Sequence, residues 1–309
     1  MRVVFMGTPD FAVPFLARLL ESGQEVVGVY TRKMARRERG QRLRNTPIYN
    51  LATSRGIPVF TPGTFRNGKN LETLRVLEPD LVVVVSYGLI LPGELLAMAK
   101  RGCLNVHPSL LPRWRGCAPI ERCLMSDDDE TGVSIMKIDE GLDSGDVVAS
   151  EKIPIAMDTD IASLRRKLAD LGVRMLLETI GAVEKYGQVS ATRQDPSQAT
   201  FSERITSGDA LVDWQRDSVK RIHRKIMALG DSVGVQLLHG GNRLKLIRSS
   251  YTPGPDQRGE IGTVIDKNFS IACRDGTLRI VELQREGKKP LALEDFINGY
   301  RFNIGDPVS

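Results

Sequence analysis

Asn105-Val106-His107-Pro108-Ser109-Leu110-Leu111-Pro112-Arg113-Trp114-Arg115-Gly116 is the stretch on which the reading of this chain turns. It holds one of three histidines in 309 residues. The apolar run Cys103-Leu104-Asn105-Val106 leads straight into it and reads as a buried strand ending at or near His107. Residues two apart on a strand share a face, so Asn105 and His107 point to the same side. The prolines and the glycine that follow break any regular helix or strand. An amide and an imidazole on one face at a strand end are placed to act on a reacting atom. A lone histidine there also fits a core imidazole bonded to a backbone carbonyl.

Working outward, residues 3–6 read as a buried strand, 7–10 as a turn, 11–20 as a helix and 25–30 as a second strand. That strand–turn–helix–strand opening predicts a βαβ unit and a parallel sheet. Its first turn carries Gly7 but no G-x-G-x-x-G, so the dinucleotide fingerprint fails. Helical and short extended pieces fill residues 48–77. The apolar run 80–86 reads as a central strand. Residues 119–125 read as a helix, and 131–137 and 147–155 as strands around a loop that holds Asp143. Ile161, Leu164, Leu168, Leu171 and Met175 form one face of a long helix ending near Tyr186-Gly187. The expected fold is therefore α/β. A Rossmann-like, mostly parallel sheet domain covers residues 1–189, with a polar linker over 190–207. Beyond it, a helix at 219–229 precedes short β pieces at 234–238, 243–248, 259–266, 270–273 and 277–283. These read as a small OB-like β-barrel domain, 208–309.

An apolar content of 41% and a charged content of 26% are those of an ordinary soluble globular protein. Cys103, Cys117, Cys123 and Cys273 show no CxxC pairing, which reads as reduced thiols rather than a disulfide frame or a zinc site. No metal is expected. The first apolar run is too short for a signal peptide, and that of residues 81–92 is too short to cross a bilayer. A cytoplasmic protein with no membrane role is expected. The net charge of +5 permits a nucleic-acid partner without requiring one. Seven of the fourteen residues from Thr31 to Arg44 are Arg or Lys, with no sustained apolar period, so this reads as a loop. Between Arg216 and Arg248 lie eight Lys or Arg against two Asp. Either stretch fits a solvated face or a phosphate-binding surface.

Two motifs carry a resemblance. Asn-x-His-Pro-Ser-Leu-Leu-Pro-x-x-x-Gly resembles the signature of the 10-formyltetrahydrofolate-dependent formyltransferases. Asp139-Glu140-Gly141-Leu142-Asp143-Ser144-Gly145 is similar to that family's Asp-x-Gly-Leu-Asp-x-Gly loop. The opening Phe5-Met6-Gly7-Thr8-Pro9-Asp10-Phe11-Ala12 and the basic stretch with Arg39-Gly40 at its tip resemble the methionyl-tRNA formyltransferase branch.

The resemblance implies transfer of a formyl group from 10-formyltetrahydrofolate to the α-amine of methionyl initiator tRNA by a monomer without a metal. Asn105, His107 and Asp143 would be catalytic. Tyr87, Gly88, Leu89, Ile90, Leu91, Ser109, Leu110, Leu111 and Pro112 would line the folate pocket. Arg36, Arg37, Arg39, Arg42, Lys220 and Arg224 would hold tRNA. The chemistry agrees, since an amine attacking a formyl carbon creates a tetrahedral oxyanion. Asn105 can donate to that oxyanion, and so can a protonated His107. Asp143 can orient His107 and help collect the amine's proton. Ser109 lacks the G-x-S-x-G setting of a nucleophile. Rival expectations are formyl transfer to an amino-sugar nucleotide, formyl transfer to glycinamide ribonucleotide, and an RNA-binding protein on a dead catalytic fold.

Overall fold

The computed structural model describes every residue except Met34, 38–41, Asn67, Asp127 and 255–257; for 35–37 and 42–44 it describes the backbone alone. Contacts divide the chain into two compact units. The first is Met1–Pro119, Thr131–Ile153 and Arg165–Ser202; the second is Ile120–Glu130, Pro154–Leu164 and Glu203–Ser309.

The chain opens with β1 (Arg2–Gly7), α1 (Val13–Glu21) and β2 (Glu25–Tyr30). β3 (Ala35–Arg37) and β4 (Arg42–Arg44) follow, then α2 (Pro47–Ser54), β5 (Val59–Phe60) and α3 (Gly68–Val76). Next come β6 (Leu81–Val85), α4 (Gly93–Leu96), β7 (Cys103–His107), β8 (Arg115–Gly116) and α5 (Pro119–Met125). β9 (Glu130–Lys137), β10 (Val147–Pro154), α6 (Ile161–Tyr186) and β11 (Phe201–Ser202) complete the series.

The main sheet runs β10-β9-β7-β6-β1-β2-β5. β1 pairs in parallel with β2 and β6, β6 with β7, and β2 with β5; β9 is antiparallel to β7. β6 is Leu followed by four valines, all buried, as a strand covered on both faces requires. It holds β7 in register, with Val84 beside Asn105, and β9 sets Ser134 opposite His107. α6 buries Leu168, Leu171 and Met175, and Gly172 lets its backbone lie close to Phe15 and Val106. The carboxyl end of β7, where the site forms, is therefore fixed from both sides and from one face.

Two parts of this unit differ from expectation. The stretch 31–44, read as a loop, carries an antiparallel pair, β3 with β4, whose backbone register sets Arg36 beside Leu43 and Arg37 beside Arg42. Three-residue strands are too short to show a period of two. The polar stretch read as a linker does not run free. Thr192 exchanges backbone hydrogen bonds with Val147, and the amides of Arg115 and Cys117 donate to the carbonyls of Thr200 and Ser202. Its first part is thus strapped to the first unit, because polar side chains and backbone can satisfy each other in irregular structure as well as in solvent.

In the second unit, α7 (Val219–Leu229) precedes β12 (Val235–His239), β13 (Asn242–Pro253), β14 (Ile271–Cys273), β15 (Gly276–Arg285), β16 (Leu291–Ala292) and α8 (Leu293–Ile297). The sheet order is β12-β13-β15-β14, with β16 on β15. Residues 259–266, expected as a strand, supply only two isolated bridges, Val264 with Ile271 and Thr263 with Pro307. The tail closes the circuit, since Leu238 and Ser309 exchange backbone hydrogen bonds. The result is an OB-like barrel around Ile222, Ile226, Leu237, Leu246, Phe269 and Leu283.

Candidate active site

Asn105 and His107 leave β7 on one side, as the period of two requires, and Asp143 comes to meet them from the loop between β9 and β10. Asn105 Nδ2 lies 3.4 Å from Asp143 Oδ1. His107 Nδ1 lies 3.7 Å from Asp143 Oδ2. The Gly116 amide donates to that same Oδ2 at 2.8 Å. His107 Nε2 is 2.9 Å from the Trp114 carbonyl oxygen. A carbonyl only accepts, so Nε2 carries a hydrogen and Nδ1 is the nitrogen left to take or give the moving proton. Such distances suit groups that tighten on substrate.

The backbone around the site is bent into the left-handed region. Trp114 has φ +62° and Asp143 φ +47°. That region is uncommon for residues with a side chain and is held only by surrounding structure. At Trp114 the bend is matched by the bond to His107; its amide donates to Thr200 Oγ1 at 2.9 Å. Gly116 has φ +118°, and a Cβ there would stand 2.7 Å from the Ser202 carbonyl oxygen. Only glycine lets β8 and β11 approach so closely.

The Ser109 to Pro112 turn is locked from within. Ser109 Oγ donates to the Arg113 carbonyl at 2.6 Å. Ser134 Oγ bridges the turn, donating to the Ser109 carbonyl at 2.8 Å and accepting from the Leu111 amide at 3.1 Å. Leu142, next to Asp143 in the chain, is 59% exposed, and Ile90, on the stretch after β6, is 83% exposed.

Two family patterns match the chain. That of the formyl transferases matches residues 1–180, and that of the formyl transferase C-terminal domain matches residues 204–301. A methionyl-tRNA formyltransferase of Paramagnetospirillum magneticum is 41% identical over 305 residues, covering 99% of either chain. The chain belongs to the methionyl-tRNA formyltransferase family. It is a formyl-transfer enzyme. Among solved structures, the N-formyltransferase of Helicobacter canadensis in complex with folinic acid and dTDP-3-aminofucose has a TM-score of 0.69 at 17% identity, covering 92% of this chain and 99% of its own. HypX of Aquifex aeolicus in complex with tetrahydrofolic acid has a TM-score of 0.64 at 20% identity, covering 99% of this chain and 50% of its own. These two share the fold.

The residues expected to line a folate pocket divide into two groups. Ile90 is open to solvent and Leu89, Leu110, Leu111 and Pro112 are partly buried. Tyr87, Leu91 and Ser109 are buried, so their side chains serve the core rather than an open surface. Burial pushes the Tyr87 phenol well above its usual range. Gly88 at φ +79° offers its carbonyl, which accepts from Arg32 Nη1 at 3.0 Å.

Of the residues expected to hold tRNA, Arg39 lies outside the described residues, and Arg36, Arg37 and Arg42 stand on β3 and β4 by their backbone alone. Lys220 and Arg224 lie on α7. Arg224 is only 4% exposed, which withdraws it from any outer surface. On the helix it shares a face with Met227 and Ala228, three and four residues on, which are buried too.

Sequence reasoning missed Arg115 and Gln194. Both are 7% exposed, and the Arg115 Nε and Nη2 donate to Gln194 Oε1 at 3.1 and 2.8 Å. Arg115 lay within the first motif. Gln194 lay in a polar stretch with nothing local to mark it. Among the described residues no cluster of three or more His, Cys, Asp or Glu stands ready for a metal, and no helix is long and apolar enough to cross a membrane.

Proposed function

We propose that the enzyme takes the formyl group of 10-formyltetrahydrofolate and transfers it to the α-amine of methionine esterified to initiator tRNA. The observation that carries this reading is the convergence of Asn105, His107 and Asp143 in a chain whose methionyl-tRNA formyltransferase relative matches it over 99% of its length. The amine nitrogen attacks the formyl carbon, and the carbonyl electrons move onto oxygen. Asn105 Nδ2 donates to that oxyanion, and a protonated His107 adds a second donor. A fixed donor of this kind is worth about 10²–10³ in turnover. The ammonium formed by attack must lose a proton. Asp143, facing both Asn105 and His107, is the acceptor at hand, while His107 keeps its Nδ1 hydrogen on the oxyanion. The C–N bond to N10 then breaks, N10 takes the proton that Asp143 collected, and the formamide and tetrahydrofolate leave.

Ile90 and Leu142, both apolar and exposed, are assigned to the pterin ring, with the backbone of residues 87–91 and 109–112. Arg36, Arg37 and Arg42 on the β3–β4 pair, Arg39 between them in the sequence, and Lys220 on α7 are assigned to tRNA. Their charge gives steep salt dependence through counterion release. The test is side-by-side turnover of methionyl-tRNA, an amino-sugar nucleotide and glycinamide ribonucleotide with 10-formyltetrahydrofolate as donor. Methionyl-tRNA is expected to be formylated far faster than either. Faster formylation of one of the small amines would overturn the assignment of the acceptor.

A further inference from the structure

We propose that Gln194 is a positioning residue for formyl transfer, locking the Asp143 loop to the Arg115-Gly116 turn and so aiming the Asp143 carboxylate at Asn105 and His107. This rests on the reading of Asp143 as catalytic. Gln194 Nε2 donates to the carbonyl oxygens of Asp143 and Gly145, at 2.9 and 2.7 Å. At the other end of the amide, Oε1 accepts from Arg115 Nε and Nη2, at 3.1 and 2.8 Å. Carbonyls only accept and a guanidinium only donates, so the partners fix which end of the amide is nitrogen. All four hydrogen-bonding positions of the side chain are used.

The bonds form a closed circuit. Gln194 grips Arg115. The next residue, Gly116, donates its amide to Asp143 Oδ2 at 2.8 Å. Asp143 is gripped through its own carbonyl by Gln194. The loop is thereby held on either side of Ser144, and the left-handed φ of Asp143 is kept from relaxing. Gln194 makes no hydrogen bond to the Asn105 or the His107 side chain, so its influence on chemistry passes through Asp143. Buried networks of this kind fix geometry when every member is satisfied. A side chain that only stabilised the fold would satisfy the same distances, so the test must separate the two.

Two full-length variants do this. Gln194→Met removes both donor and acceptor in a side chain of similar length. Gln194→Glu keeps an acceptor for Arg115, and adds a charge to it, but offers no hydrogen to the two carbonyls. For both, kcat is expected to fall about ten- to hundredfold, the scale of losing a group that orients a catalytic ligand. KM for methionyl-tRNA should stay within about twofold, since an interaction lost only in the transition state lowers kcat alone. The pH profile of kcat should move with it, because the carboxylate's surroundings have changed. Asp143→Ala is run alongside. If Asp143→Ala is crippled while both Gln194 variants keep wild-type kcat, Gln194 does not position the loop. If kcat falls only in proportion to the unfolded fraction seen by circular dichroism, with the pH profile unmoved, or if neither variant folds, the role is structural and the proposal is wrong. Near-normal turnover of Asp143→Ala is a different failure: it removes Asp143 from the mechanism and the proposal with it.

Discussion

At the scale of single residues, the site divides into groups that do chemistry and groups that aim them. In the proposed mechanism Asn105, His107 and Asp143 are the first kind. Each, changed to Ala, is expected to lower kcat by at least about a hundredfold, the scale of losing an oxyanion donor or an acid–base group. Single-turnover formyl transfer, with folding checked by circular dichroism, measures this. Turnover of a folded His107→Ala enzyme within a few-fold of wild type would take His107 out of the mechanism. Asn105 and His107 could be read from sequence, because a strand puts residues two apart on one face and the prolines mark its end. Asp143 could be read only by resemblance, since nothing in its loop fixes where the side chain points. Gln194 could not be read at all. Its partners are backbone carbonyls of residues some fifty positions away, and a glutamine among Ser, Thr and Pro looks the same whether it is solvated or buried.

Among the elements, legibility followed length and periodicity. The long helix 161–186 and the buried strand 81–85 were legible because each repeats its apolar signal several times. β3, β4 and the bridges at Thr263 and Val264 were not, because two or three paired residues carry no period. The helix α7 was legible too, but not which of its polar residues are buried, Arg224 and His223 among them. His223 Nδ1 is 2.9 Å from Ser249 Oγ, and Nε2 is 2.8 Å from the Met157 carbonyl oxygen. Burial is the larger influence and holds its pKa below the usual 6.5, outweighing the Met157 carbonyl, which favours the protonated ring. The sign follows from linkage. The unfolded chain binds a proton at His223 near pH 6.5 while the folded chain resists it. Stability from the neutral ring is therefore present above that pH and lost as pH falls through it. The melting temperature of the full chain is expected to drop between pH 7 and pH 5, and to drop less steeply in His223→Gln, which is less stable at pH 7 but has no imidazole to titrate. Parallel curves for the two proteins would show that His223 is not the group responsible.

On the scale of the whole molecule, the division into two units is not a cut at one point of the sequence. Residues 120–130 and 154–164 belong with the second unit although they come early in the chain. Arg122 Nη1 pairs with Asp209 Oδ1 at 2.6 Å, and its Nε donates to the Glu203 carbonyl at 3.1 Å. Arg248 Nη2 pairs with Asp160 Oδ2 at 3.1 Å. Truncation after Ser202 strips these partners but leaves β11, Gln194 and the whole site in place. Truncation after residue 189 also removes Thr192, Gln194, Thr200 and Ser202, and with them the bonds that hold the Trp114–Gly116 turn and the Asp143 loop. The 1–202 fragment is therefore expected to melt below the full chain yet bind a folate analogue within about tenfold of it, the scale of about 1.4 kcal/mol. The 1–189 fragment should bind at least about tenfold more weakly than 1–202, again about 1.4 kcal/mol or more. Calorimetric titration of each fragment, with circular dichroism to count the folded fraction, separates lost binding from lost folding. Equal affinity per folded molecule in the two fragments would show that the strap from Thr192 to Ser202 holds the chain down without shaping the folate site.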